Sequence, residues 1–348
     1  MSPFKTLCRL LPLVVIALLS GCSAVLLNPS GDIAVQQRNL IYYSTGLMML
    51  IVLPVLVLIV LFAWRYRKSN TKAEYTPEWH HSTQLELVIW IAPLLIIIVL
   101  GTLTWISTHA LDPYRPLSRL DAKRPIPADV KPLVVEVVAL DWKWLFIYPE
   151  QGIALVNEMA APVDRPITFH ITSSSIMNSF FIPALAGQIY AMPGMQTKLH
   201  VVANKPGEFD GFSANYSGAG FSSMRFKFHG LSTENFDQWV EKTKASGNAL
   251  TRADYLNLVK PTQREPVKRY GTVDPSLYQA ILNRCVESNK MCMNDIMAMD
   301  AMGGMGKAGT YNLASSTSDV ASISDLGPKY VAAACSVRTL ATDFPVVN

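Results

Sequence analysis

Residues 213–224 read SANYSGAGFSSM, a run of small and turn-forming residues between two strand-like segments. Its two glycines allow the backbone to bend tightly and to approach another group closely. A loop of this kind typically holds a ligand or packs against a partner. A copper or zinc site requires thiolate or imidazole donors at short spacing, and this loop contains neither Cys nor His. Met224 is its one candidate ligand, and a single thioether does not hold an ion.

The loop resembles the copper-binding loop in subunit II of the haem-copper respiratory oxidases, which reads Cys-x-Glu-x-Cys-x-x-x-His-x-x-Met. The corresponding positions in this sequence hold Ser213, Asn215, Ser217, Phe221 and Met224. The family's other histidine ligand precedes a Ser-Phe pair and a Pro, and Asn178 occupies that position here. Five of the six ligand positions are therefore replaced, which makes the chain similar to the quinol-oxidase branch of the family.

The resemblance extends from about residue 22 to residue 259 and includes the aromatic segment 141–149, which reads DWKWLFIYP. It implies a cupredoxin-like Greek-key sandwich in a non-catalytic subunit II of a proton-pumping ubiquinol oxidase. The expected partners are the large haem-copper subunit I and the other oxidase subunits. The resemblance also implies that haems and copper reside in that large subunit, with no cofactor, metal or catalytic residue in this chain.

Composition favours a membrane protein with a soluble part. Half of the 348 residues are hydrophobic, 16% are charged, and the mean hydropathy is +0.23. A net charge of +4 is too small to indicate a nucleic-acid partner, and no phosphate-binding glycine motif is present. The five cysteines are sparse and none lies between residues 23 and 284, which excludes a disulfide-built scaffold.

The first 21 residues have the features of a secretory signal, with Lys5 and Arg9 ahead of a short apolar core. The tetrapeptide Leu-Ser-Gly-Cys at 19–22 matches the bacterial lipobox, which predicts that Cys22 becomes a lipidated N-terminus outside the inner membrane. The alternative is an uncleaved span with an incidental cysteine. That apolar core is short for a crossing helix, which needs about 20 apolar residues.

Two longer apolar runs, residues 40–63 and 87–106, are each long enough to cross a bilayer as a helix. Pro54 and Pro93 lie inside them, which membrane helices tolerate. The basic residues of the intervening loop favour a cytoplasmic location, although the far flank is also basic. Because the lipobox places the N-terminus outside, two crossings return residues 111–348 to the periplasm. We therefore expect a lipid-anchored hairpin within residues 22–110 of a bacterial inner-membrane protein.

Residues 111–132 are rich in proline and are predicted to be a linker. Residues 133–230 contain short runs of β-branched and aromatic residues separated by turns, which favour a β-sandwich. The predicted strand segments are 133–148, 153–157, 167–172, 180–182, 197–202, 208–212 and 224–229. Trp142, Trp144 and Phe146 alternate and should share one face of a strand. The fold class is thus membrane-anchored α+β: a helical hairpin, an all-β domain and a helical C-terminal region.

Helical patterns follow at 231–286, with Ser232 or Thr233 as a cap and further segments at 252–259 and 275–286. Residues 287–348 are rich in Met, Gly, Ala and Ser, and we expect them to be disordered. The methionines of this tail could bind cuprous copper, but a low-complexity tail is the simpler interpretation. Cys285 and Cys292 could pair in the periplasm, and Cys335 leaves the pairing open.

Glu86 is the ionisable residue that stands out, because it falls at the cytoplasmic start of the second apolar run. A glutamate there could simply lie among lipid headgroups. The resemblance implies instead that it serves a proton-uptake pathway of the large subunit. Two other functions remain as alternatives to the quinol-oxidase subunit: a copper-containing subunit of a cytochrome c oxidase, and a stand-alone copper-binding lipoprotein.

Overall fold

The computed structural model describes residues 25–74 and 76–301. Two long helices come first, α1 (Asp32–Arg65) and α2 (Thr83–Ala110), and they contact each other. Both are long and apolar enough to span a membrane, and the rest of the protein does not bury their apolar segments. Each helix includes its predicted apolar run and extends beyond it, because polar turns continue the helix outside the apolar segment. Residues 1–21 and Cys22, with their predicted cleavage and lipidation, lie outside the described residues.

Thirteen short strands follow the helical hairpin. They are β1 (Leu133–Leu140), β2 (Lys143–Tyr148), β3 (Ile153–Val156), β4 (Glu158–Pro162), β5 (Pro166–Ser173), β6 (Asn178–Phe181), β7 (Ile189–Ala191), β8 (Thr197–Val202), β9 (Gly207–Ser213), β10 (Arg225–Leu231), β11 (Ala249–Leu250), β12 (Lys268–Tyr270) and β13 (Thr272–Val273). All the predicted strand segments are present. The first one divides into β1 and β2, whereas β4, β7, β11, β12 and β13 have no counterpart among the predicted strands.

Two sheets face each other across the main core. One has the strand order β12-β3-β2-β1-β5-β8, and the other has the order β4-β10-β9-β6-β7. β1 pairs in parallel with β5, and β4 pairs in parallel with β10, while the remaining pairs of these two sheets are antiparallel. The crossovers between the sheets make the domain a β-sandwich rather than a meander of hairpins.

Aromatic rings fill the centre of the sandwich. Trp144 and Phe146 point into the core from β2, as the alternation predicts, and Tyr148 continues the same face. Phe180 and Phe226 from the opposite sheet stack on each other at a centroid distance of 5.3 Å, and Trp144 meets both edge-on. Trp142 precedes the strand and is only partly buried against this core.

The region after residue 231 contains the predicted helices and, in addition, three short strands. It contains α3 (Thr233–Lys244), α4 (Arg252–Leu258) and α5 (Leu277–Leu282), but β12 adds a strand to the six-stranded sheet beside β3. Ser232 caps α3 by accepting a hydrogen bond from the Asn235 N–H. α4, α5 and the outer face of the sheet enclose a second hydrophobic cluster that includes Val138, Leu145 and Tyr278. The sheet therefore buries both of its faces.

The segment beginning at residue 287 is also more ordered than predicted, as far as it is described. A further helix, α6 (Met293–Ala301), follows a disulfide between Cys285 and Cys292. The thioether of Met293 lies against Gly194 in the β7–β8 turn. The sequence left the pairing of Cys285 open, and Cys292, seven residues away, is its partner. Local composition did not reveal the contact of Met293 with Gly194, because these residues are about 100 positions apart. Residues 302–348, including Cys335, lie outside the described part of the chain.

The start of α1 is attached to the β-domain. The Ser30 and Gly31 N–H groups donate to the carbonyl of Ala184, and the Ala34 N–H donates to the carbonyl of Leu185. A Cβ on Gly31 would lie 2.5 Å from the carbonyl oxygen of Val202, so only glycine permits this close approach. The hairpin and the domain are therefore joined by direct backbone contacts as well as by the linker.

Candidate functional site

The loop between β9 and β10 is shaped by the indole ring of Trp142. The Trp142 Nε1–H donates to the carbonyl of Ser217 at 2.8 Å. A Cβ on Gly220 would lie 2.4 Å from Cδ2 of that ring, and a Cβ on Gly218 would lie 3.0 Å from Cζ2. Gly218 also has a φ of +110°, which favours glycine. The glycines thus let the loop lie flat on the indole.

Three of the six copper-ligand positions are joined by direct hydrogen bonds. The Ser213 hydroxyl at the end of β9 lies 3.2 Å from both Asn178 Oδ1 and the carbonyl of Asn215. The Asn178 amide donates to the carbonyl of Ile176, and the Asn215 amide donates to the carbonyl of Met177. Ser213 and Asn178 are buried. A satisfied network of hydroxyl and amide groups therefore occupies this part of the site.

The other three positions are used for packing. Ser217 is buried beneath Trp142, Phe221 places its ring 5.7 Å from that of Tyr216, and Met224 is buried in the main core. Five of the six positions carry hydroxyl, amide or phenyl groups, which are not the soft or imidazole donors that copper prefers, and the thioether of Met224 is the one soft donor. Within residues 25–74 and 76–301, no group of three or more His, Cys, Asp or Glu side chains is placed to hold a metal ion. The residues present do not fit a binuclear copper centre.

Glu86 lies in the first turn of α2, at the end of the hairpin away from the β-domain. Its carboxylate Oε1 is 2.7 Å from His81 Nδ1, and His81 Nε2 is 3.2 Å from the Thr83 hydroxyl. Ser82 caps the helix by accepting from the Leu85 N–H. Both His81 and Glu86 are exposed, with 61% and 51% of their side chains accessible. The sequence analysis singled out Glu86 but not its partner His81. The feature that could have revealed this partner is that His81 directly precedes Ser82, the N-cap of α2.

The sandwich histidines lie apart and use different partners. His200 shares a hydrogen bond with Thr168, whereas His229 lies 3.3 Å from Glu158 and 3.9 Å from Glu208. Arg269 of β12 also binds Glu158 at 2.6 Å. Burial raises the pKa of Glu158, but the hydrogen bonds from His229 and Arg269 outweigh it and lower the pKa overall. This ion cluster secures β12 to the sandwich, and the sequence offered no local signal for it.

The fold and the loop at residues 213–224, called the copper-site loop below, together define a class of protein. It is a cupredoxin-like domain anchored by two helices, in which the copper-site loop lacks the copper donors. Two family models match parts of the chain, "Cytochrome C oxidase subunit II, periplasmic domain" over residues 150–230 and "COX Aromatic Rich Motif" over residues 244–289. The chain is 52% identical to the cytochrome bo(3) ubiquinol oxidase subunit 2 of Pseudomonas putida, covering 82% of this chain and 88% of that protein.

A second relative is similar over the same share of the chain. The ubiquinol oxidase subunit 2 of Acetobacter aceti is 48% identical, with 82% of this chain and 88% of that protein covered. The chain belongs to the family of these ubiquinol oxidase subunits. A solved structure, the periplasmic domain of cytochrome oxidase subunit II of Bradyrhizobium japonicum, is 25% identical, covers 35% of this chain and 98% of its own, and has a TM-score of 0.32.

Proposed function

We propose that this protein is the non-catalytic subunit II of a terminal ubiquinol oxidase that couples quinol oxidation to the reduction of oxygen. The observation that carries the proposal is the copper-site loop, which lacks the donors for copper. Asn178, Ser213 and Asn215 occupy three of the copper-ligand positions and are hydrogen-bonded within the β-sandwich. A domain without an electron-carrying metal contributes structure to the complex, and electrons pass from quinol to haems and copper in the large subunit.

The same proposal places the protein in a bacterial inner membrane, in contact with the large subunit I and other oxidase subunits. The two apolar helices are unburied within this chain and offer surfaces for those partners and for membrane lipid. Lipidation at Cys22 would add a second anchor, although one acyl chain contributes little beside two helices. Changing Cys22 to Ser should abolish labelling by a radioactive fatty acid while the complex still assembles. Persistent labelling would exclude the lipid site.

Purification of the full-length protein from membranes in mild detergent tests the function. We expect a haem-containing complex that consumes oxygen with ubiquinol as donor and shows no binuclear mixed-valence copper signal. Such a signal in stoichiometric amount would favour the cytochrome c oxidase alternative. Isolation of the chain alone, with copper bound by its methionines, would favour the stand-alone lipoprotein.

Glu86 is proposed to assist proton uptake by the complex. It lies at the helix end away from the periplasmic domain, exposed to water and in contact with His81 at 2.7 Å. A carboxylate with a histidine neighbour at a membrane edge can collect protons for a channel in a partner subunit. Water can partly replace such a group, so its role is to accelerate uptake rather than to be indispensable.

A further inference from the structure

A cavity of about 320 Å³ lies where the two membrane helices meet the β-domain. Its walls are the first turns of α1, the end of α2, linker residues 111–119 and the edge of the domain near residues 186–188. Cavities that bind small molecules start at about this volume, roughly 300 Å³. It is separate from the copper-site loop, and it lies at the opposite end of the hairpin from Glu86.

The cavity lies at the depth of lipid headgroups. The apolar run of α1 begins at Leu40 and that of α2 ends at Ile106. Gln36 and Ala110, which both line the cavity, are four residues farther toward the domain. Four helical residues rise about 6 Å, and the headgroup layer beyond the hydrocarbon core is roughly 5–8 Å thick on each side. The cavity mouth therefore faces the headgroups of the outer leaflet.

Two guanidinium groups provide hydrogen-bond donors in the cavity. Arg119 uses its Nε to bind the buried carboxylate of Asp32 at 3.0 Å, and Gln36 donates to the same oxygen at 2.7 Å. Within the described part of the chain, neither terminal nitrogen of Arg119 donates to protein. Arg115 makes one marginal contact, at 3.5 Å, with the carbonyl of His109. Both arginines retain donors suited to phosphate oxygens.

The remaining lining suits an amphiphile rather than a free ion. Ile33, Leu111 and Leu117 provide apolar wall beside the arginines. The two carboxylates of the lining are already engaged, Asp32 by Arg119 and Gln36, and Asp112 by the backbone N–H of Tyr114. The charges of the lining nearly balance, so a singly charged phosphodiester fits better than a dianion.

We propose that this cavity binds the phosphate of a phospholipid from the outer leaflet, with Arg115 and Arg119 as donors. The bound lipid bridges α1, α2, the linker and the β-domain at the membrane surface. Inorganic phosphate offers the same oxygen chemistry but lacks the glycerol and acyl groups that would contact the apolar wall.

Native mass spectrometry of the full-length protein, purified from membranes with the subunits that accompany it, tests the proposal. Arg115→Gln should retain one phospholipid fewer per assembly than wild type, and Arg115→Lys should restore most of that occupancy. Ser118→Phe should also displace the lipid, by filling the cavity without removing a charge. Arg124→Gln is the matched control, because Arg124 lies on the same linker but pairs with Asp121 and Asp164 outside the cavity.

Delipidated protein distinguishes the two sources of phosphate. We expect a short-chain phosphatidylglycerol to bind wild type and to lose at least tenfold in affinity with Arg115→Gln, while inorganic phosphate at equal concentration does not compete. Equal lipid retention by wild type, Arg115→Gln and Ser118→Phe would overturn the proposal. Competition by inorganic phosphate, with no lipid retained after purification, would overturn the assignment to a lipid.

Discussion

At the scale of single residues, two positions make testable contributions, one to the stability of the protein and one to its activity. Gly220 decides the shape of the copper-site loop, and Glu86 is the ionisable group at the far end of the hairpin. The φ of Gly220 is −93°, which any residue can adopt, so its backbone conformation does not require glycine. Glycine is required because any side chain at this position would overlap the Trp142 ring.

Gly220→Ala should destabilise the protein because the new methyl group would overlap the Trp142 ring. Overpacking of this kind costs about 1–3 kcal/mol. The thermal unfolding midpoint of the full-length protein in detergent measures the effect, with Ala219→Ser as a control at the exposed neighbouring position. Adding Trp142→Leu should recover part of the loss. An unchanged midpoint for Gly220→Ala would show that the loop does not depend on this contact.

Glu86→Gln should slow quinol oxidation by the assembled complex without stopping it. The amide keeps the size of the side chain and removes only the ionisable carboxyl group, so haem content should stay normal. Glu86→Asp should retain most activity, and His81→Asn should show a smaller loss than Glu86→Gln. Oxygen consumption normalised to haem compares the variants. Equal rates in all of them would leave Glu86 as an ordinary interfacial residue.

At the scale of elements, the C-terminal region changes the chemistry of the sheet that it covers. Glu136 points to the outer face of β1, where it is paired in register with His170 on β5 and lies near Tyr278 of α5. Burial raises the pKa of Glu136 to about 7. Burial also lowers the pKa of His170, so the neighbouring ring is neutral at that pH.

Glu136→Gln should therefore stabilise the protein at alkaline pH. A carboxyl whose pKa is raised on folding opposes folding once it ionises, so the loss of stability begins above its ordinary pKa of 4.5 and is complete above about pH 7. The variant should gain about 1–3 kcal/mol at pH 8 and nothing near pH 4. Denaturant unfolding at both pH values measures it, with exposed Glu150→Gln as control. An equal effect at both pH values would contradict the role of ionisation.

At the scale of the whole molecule, the hairpin is held to the β-domain by backbone hydrogen bonds and to the linker by an ion pair whose carboxylate is buried. Asp32 opens α1 with 4% of its side chain exposed, and it binds Arg119 of the linker. Together with the backbone contacts of Ser30, Gly31 and Ala34, this pair holds the domain on the membrane helices.

Asp32→Asn should loosen that attachment because Arg119 would lose its counter-ion. Removing one partner of a largely buried pair costs about 1–3 kcal/mol here, since Arg119 is partly exposed. Trypsin should then cleave the linker at its basic residues roughly tenfold faster for each 1.4 kcal/mol lost. Glu241→Gln breaks an exposed pair with Lys244 and should leave the rate unchanged. A linker as resistant as in wild type would show that the backbone contacts suffice.

Much of the fold follows from local pattern. Long apolar runs predict α1 and α2, alternation predicts β2, and the spacing of ligand positions in 213–224 predicts a loop without copper donors. The strands β4 and β7 were missed because their sequences, EMAAP and IYA, carry little alternation. β12 was missed because a three-residue strand forms only where another strand offers an open edge.

The sequence by itself determined the chemistry of each position: apolar helices, aromatic core strands, and serine and asparagine where copper would need thiolate and imidazole. Only the tertiary structure decided which positions meet. Asp32 and Arg119 are 87 residues apart, and Trp142 and Ser217 are 75 apart. Periodicity reports which way a side chain faces within its own element. It does not report which distant element lies opposite, because packing of the complete chain determines that.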